Sequence, residues 1–259
     1  MRTFAQKRFA FALTSVLLTV ATMRAAEIKV VTSGAFTAAY LKLVPEYERT
    51  THHKLATEFG PSMGTTHNAI PLRLERGEAI DVVIMAAPAL DNLIKQGKVR
   101  AGTRVDLVRS LTGMAVKAGA PKPDISTVEA LKRTLLAAKS IAYSDSASGV
   151  YLSTELFPKL GIADQIRGKT RMIEADPVGE AVARGEVEIG FQQISELLPV
   201  KGIDIVGPLP PGAQRVTIFA AGIPATSRHT TEAKALIDWL ASPAAYSAIK
   251  ESGLDPAHR

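Results

Sequence analysis

The chain has 259 residues, of which 46% are hydrophobic and 5% aromatic, with a net charge of +6 and no cysteine. That is enough apolar material for one large core or two modest ones, while the absent thiols exclude a cysteine nucleophile or a thiolate metal site. No basic run interleaved with aromatics is present, which argues against a nucleic-acid partner, and no HExxH or clustered His/Asp pattern points to a metal.

Taken in chain order, Arg2, Lys7 and Arg8 precede the apolar run FAFALTSVLLTV and the small residues Ala25 and Ala26. This is the outline of a cleaved secretory leader over residues 1–26, so the mature protein is expected in the periplasm. The run is shorter than the roughly 20 apolar residues needed to span a bilayer. Removing it takes away four basic residues (Arg2, Lys7, Arg8 and Arg24) and no acidic one, which lowers the net charge from +6 to +2.

IKVVTS then reads as a strand. Tyr40, Leu43, Val44 and Tyr47 recur at helical spacing, Leu55 to Phe59 is strand-like, IDVVIM is a buried strand, and PALDNLIKQG is a helix stopped by Gly97. After Arg104 the sequence RVDLVRSLTGMAVKAGAPKP predicts an extended crossing segment. STVEALKRTLLAA opens with a capping box, Ser126 with Glu129. SIAYSD is a strand, GVYLSTELFPKLG a helix, and TRMIEA, PVGEAVARG and EIGFQQ continue the strand, helix, strand rhythm. RVTIFAAGI is a returning strand, and two helices divided near Pro243 end the chain.

This alternation predicts an α/β fold: two lobes with parallel-rich sheets, helices on both faces, and two extended crossovers near 106–117 and 214–223. The expected partition is 27–108 plus 220–259 for the first lobe and 109–219 for the second. Ligands of such sheets bind where strands end and helices begin. TSGAFT, GPSMGTTH, SDSASG and the stretch around FQQIS occupy such positions, and their hydroxyls and backbone N–H groups suit a small anion.

The order TSGAFT, EFGPSMGTT, AIDVVIMA, SIAYSDSASGVYLSTELFPKLG and VEIGFQQISE resembles the molybdate-type periplasmic solute-binding proteins along essentially the whole mature chain. The resemblance implies a type II periplasmic binding protein fold that closes on a small ligand, works as a monomer and needs no cofactor. It places ligand contacts on the loop Ser33, Gly34 and Ala35, on Ser62, and near Ser148 and Val178. A family serine is replaced by Ala35, and a family tyrosine by Gln193. Each lost charge-assisted hydrogen bond is worth about 1.5–3 kcal/mol, so molybdate is disfavoured. Gln193, which donates and accepts, fits a carboxylate better, as do Thr65, Thr66 and His67.

These departures resemble a divergent branch of the family that includes a secreted aconitate isomerase. Such a reaction moves a proton from the substrate methylene to its alkene carbon. It requires carboxylate donors (Ser33, Ser62, Thr65, Ser148, Gln193) and one base, for which His67 is the first candidate and Glu58 and Asp145 are alternatives. Arg73, Arg171 and Arg215 are candidate counter-charges. The alternative reading is a non-catalytic subunit delivering an oxyanion or small carboxylate to an ABC permease.

Overall fold

The computed structural model describes residues 25–174 and 177–258; the leader expectation lies outside them for residues 1–24. Strand β1 (Glu27–Thr32) is followed by helix α1 (Gly34–Thr51), β2 (Lys54–Phe59), α2 (Ile70–Glu75), β3 (Val82–Ala86) and α3 (Ala87–Lys95). β1 lies between β2 and β3 and is parallel to both. The near-continuous apolar runs of β1 and β3 follow from burial on two faces. Ile28, Val30, Val82 and Ile84 pack with α1 on one side, while Val31, Val83 and Met85 pack with α2 and α3 on the other.

β4 (Val105–Lys117) is the element that joins the two halves. Thirteen residues at ~3.3 Å each give a reach of about 43 Å, long enough to serve two sheets in turn. Its first part pairs antiparallel with β9 (Val216–Gly222) and with the short β10 (Asp255–Pro256). Its second part pairs with β7 (Ile189–Gln193) and β8 (Ile203–Pro208). β9 also pairs with β3, at Phe219 to Gly222.

The second half is built from α4 (Val128–Ala137), β5 (Ile141–Ser144), α5 (Ala147–Tyr151), α6 (Phe157–Lys159), α7 (Ala163–Ile166), β6 (Thr170–Ile173), α8 (Val178–Ala183), β7, α9 (Ile194–Leu197) and β8. β5 is parallel to β6 and β7. The hydrogen-bonded path runs β2-β1-β3-β9-β4-β7-β5-β6. α10 (Thr230–Leu240) and α11 (Tyr246–Glu251) return to the first half, where Leu236, Ile237, Leu240 and Ile249 close its core. The second half has separate cores on its two faces, one centred on Met114, Leu131, Phe157 and Phe191 and the other on Val178 and Val182.

Two local expectations need correction. The cap of α4 is Thr127, whose hydroxyl accepts the Ala130 N–H, while the Ser126 N–H donates to Asp124. The capping residue is therefore one place later than the Ser126–Glu129 pattern predicts, because Asp124 draws Ser126 into a turn. The helix expected across GVYLSTELFPKLG contains a π-helical turn at Leu152–Leu156.

Candidate functional site

The parallel strands β1, β2, β5 and β7 deliver their C-terminal ends to one cleft between the halves. β1 leads into Ser33 and Gly34 at the start of α1, and β2 ends in Phe59 before Gly60. β5 leads into Asp145 and Ser146, and β7 runs through Gln192 and Gln193 into α9. The cleft encloses a cavity of about 520 Å³ that includes Gly34, Phe59, Asn68, Asp145, Gln192 and Glu196 in its wall. Deeper in lies a narrow polar recess of about 10 Å³. Ser33, Gly34 and Ala35 face Ser146, Ala147, Ser148 and Gln193 across it, with Phe219 and Glu196 completing the wall. Glu196, Gly34 and Ser146 line both spaces.

The recess is rich in hydrogen-bonding capacity that the protein itself does not use. Ser33 Oγ and Gln193 Oε1 are buried without a protein partner, as are the nearby Asp145 Oδ2 and Ser195 Oγ. Ser33 stands at the N-cap of α1 but makes no side-chain cap bond, leaving its hydroxyl for another group. The N-terminus of this 18-residue helix adds partial positive charge. Gln193 Nε2 donates to Thr217 Oγ1 at 3.3 Å, and Ser148 Oγ lies 3.3 Å from Ser144 Oγ. Gly149 permits this tight β5–α5 turn: a Cβ there would lie 1.6 Å from the Ser144 carbonyl oxygen.

Two carboxyl groups reach the cleft, and no Lys, Arg or His is among the residues lining the cavity or recess. Burial pushes the Glu196 carboxyl up to about 7, with the charge of Asp145 adding to the rise. The Gln192 side chain and the Gln193 backbone oppose it. Because Gln192 Oε1 already accepts the Val178 N–H at 2.9 Å, the amide NH₂ is the end of Gln192 that can serve the carboxyl. Burial also pushes Asp145 up, and Glu174 adds to that shift. Both carboxyls cross from the second half toward first-half glycines: a Cβ on Gly34 would lie 2.0 Å from Glu196 Oε1, and one on Gly64 2.9 Å from Asp145 Oδ2. Among the described residues, no group of three or more His, Cys, Asp or Glu is placed to hold a metal ion.

Of the residues expected from sequence, Ser33, Gly34, Ala35, Ser148 and Gln193 come together around the recess. Ser62 is fully buried, and its Oγ accepts the Ala86 N–H at 2.9 Å at the start of α3. Thr65 and His67 are exposed on the β2–α2 loop, and neither is among the lining residues. The Val178 N–H is taken by Gln192. Glu58 is paired with Arg73 and Lys29, and the Arg73 guanidinium holds its carboxyl below the usual range. Arg73 also binds Glu78, Arg171 pairs with Glu186, and Arg215 pairs with Glu155 while stacking 4.3 Å over Tyr151. None of these three arginines lines the cleft.

Glu196 and Gln192 are the residues that sequence reasoning missed. In FQQISE, Glu196 stands three residues after Gln193, the N-cap of α9, so it reads as an ordinary capping-box acid. Only the approach of Gly34 from the other half makes it a cleft residue.

Two half-sheets sharing the long strand β4, with an anion-suited recess at their strand ends, define a two-lobed type II periplasmic binding protein fold. The chain belongs to the bacterial extracellular solute-binding proteins, whose family pattern it matches over residues 28–255. An aconitate isomerase from Pseudomonas sp is 50% identical over 229 residues, covering 88% of this chain and 87% of that protein. The molybdate-binding protein ModA of Azotobacter vinelandii is 29% identical over 262 residues, 96% of this chain and 98% of its own. The fold is shared with the sulfate-binding protein SubI of Mycobacterium tuberculosis, with a TM-score of 0.71 at 17% identity over 90% of this chain and 88% of that one.

Proposed function

We propose that this protein is an aconitate isomerase, interconverting trans- and cis-aconitate by an allylic proton shift. The observation that carries this reading is the 50% identity to an aconitate isomerase over nearly nine-tenths of both chains. The chemistry of the cleft suits such a shift, because it offers neutral donors for carboxylates and an ionisable group near neutrality, and the reaction has no net redox change. In this reading Ser33, Gly34, Ala35, Ser148 and Gln193 receive one substrate carboxylate, while the rest of the substrate occupies the 520 Å³ cavity. Ser62, Thr65, His67 and Val178 are left out of this contact set, because none of them lines the cavity or the recess.

The protein would act as a monomer in the periplasm after removal of residues 1–26. Its lobes would be 27–108 with 220–259, and 109–219, closing on the substrate. The full-length likeness to a molybdate-binding protein supports a second reading, a binding subunit serving an ABC permease. The first reading is favoured by identity, 50% to the aconitate isomerase against 29% to the molybdate-binding protein. The test is to incubate the purified chain with trans-aconitate and separate the isomers by chromatography. Formation of cis-aconitate is expected; no conversion, together with a large melting-temperature rise in molybdate, would favour the second reading.

A further inference from the structure

Glu196 occupies a position unlike that of any other ionisable side chain in the cleft, because it belongs to the walls of both the deep recess and the outer cavity. A planar carboxylate anchored in the recess would direct its adjoining carbons outward past this residue. The Glu196 carboxyl also lies against Gly34 at the opening of α1, so it bridges the halves where a substrate would be clasped. Asp145 faces the outer cavity but does not line the recess, and it reaches instead toward Gly64.

We propose that Glu196 is the catalytic residue that carries the migrating proton, taking it from one allylic carbon of aconitate and returning it to the other. This assignment rests on the isomerase reading. In the first step the methylene C–H of trans-aconitate breaks, an O–H forms on Glu196, and the electron pair spreads across the allylic carbons into the flanking carboxylates. In the second, the Glu196 O–H breaks and the former alkene carbon gains the proton, which leaves the double bond on the other side. The rotamer in which the cleft holds the single bond from the methylene to the central carbon sets the geometry of the new double bond. Atoms and charge balance without a co-reactant.

The surroundings suit both halves of the cycle. The carboxyl sits at about 7, close to where a group can accept and donate with similar ease. Asp145 is the charged neighbour that acts on it, and Glu174 acts in turn on Asp145. The Gln192 amide stabilises the charged form that begins each turnover. Ser33 and Gln193 can hold the anchored carboxylate as charge flows into it.

The experiment compares the full chain with E196Q, E196D and H67A, following isomerisation and the incorporation of solvent deuterium into aconitate by NMR, with calorimetry for substrate binding. E196Q is expected to lose at least ~100-fold in kcat and in deuterium exchange while still binding trans-aconitate. E196D, its carboxyl drawn back by one methylene, is expected to be slowed but to keep the pH-dependent limb, and H67A to turn over normally. Unchanged turnover in E196Q overturns the assignment, as does loss of turnover in H67A with E196Q active. If E196Q does not fold, E196D decides: slowed exchange with binding retained supports the role, and unchanged exchange overturns it. Absence of isomerisation by the unmodified chain would instead sink the isomerase reading itself.

Discussion

The raised Glu196 carboxyl makes a prediction about stability that requires no substrate. Its folded value of about 7 stands against an ordinary 4.5, the value expected in the unfolded chain. Between these two pH values the folded protein holds a proton that the unfolded chain has released, so unfolding is accompanied by proton loss. The stabilising contribution of the neutral carboxyl is complete below the unfolded value and disappears as pH rises through the folded one. A difference of this size corresponds to roughly 3 kcal/mol, an upper value because the residue is half-buried and water screens part of the effect. E196Q keeps a neutral amide at all pH values. Urea unfolding of wild type and E196Q is therefore expected to show a constant offset below about pH 4 that shifts by up to ~3 kcal/mol in favour of E196Q by about pH 8. Asp145, also raised, is present in both proteins and acts in the same direction. Parallel pH profiles for the two would refute the placement of Glu196 as a desolvated carboxyl.

Three further outcomes follow from individual contacts. S33A removes an unpartnered buried hydroxyl from the recess, and weakening of trans-aconitate binding by about 10-fold in calorimetry is expected; unchanged affinity would remove the recess as the carboxylate anchor. G149A forces a methyl group to within 1.6 Å of the Ser144 carbonyl, a backbone atom that cannot step aside cheaply. It should cost about 3 kcal/mol in thermal unfolding and loosen Ser144 and Ser148. R73M removes a guanidinium buried between Glu58 and Glu78, outside the cleft. It should lower stability by ~2 kcal/mol with isomerisation unchanged.

Much of the fold is legible in the sequence because its signals are local. IDVVIM declares a strand buried on both faces, and the alternation of such runs with helical patterns declares a parallel sheet. The long polar-apolar stretch after Arg104 is the shared strand β4. Loop positions are legible for the same reason, since Ser33 lies between β1 and α1, Ser148 in the first turn of α5, and Gln193 at the end of β7 just before α9. What sequence cannot provide is which way a hydroxyl or carboxyl turns once the halves meet. Ser62 and His67 both sit on a loop that sequence places at the ligand, yet neither is among the residues that line the cavity or recess. Glu196 looks like a capping acid and becomes a cleft residue only through contact with a glycine 162 positions earlier, Gly34. The arginines are equally opaque, because their pairing with Glu78, Glu186 and Glu155 is fixed only when the chain has folded.

Conversion of trans-aconitate by the purified unmodified chain in deuterated water, with no metal or cofactor added, tests the isomerase reading and the role of Glu196 together. Cis-aconitate is expected, carrying solvent deuterium to the extent that the Glu196 O–H exchanges before the proton is returned, and formed at a rate that E196Q reduces by at least ~100-fold. Binding of trans-aconitate with neither isomerisation nor deuterium uptake would contradict that expectation and leave a binding protein in its place.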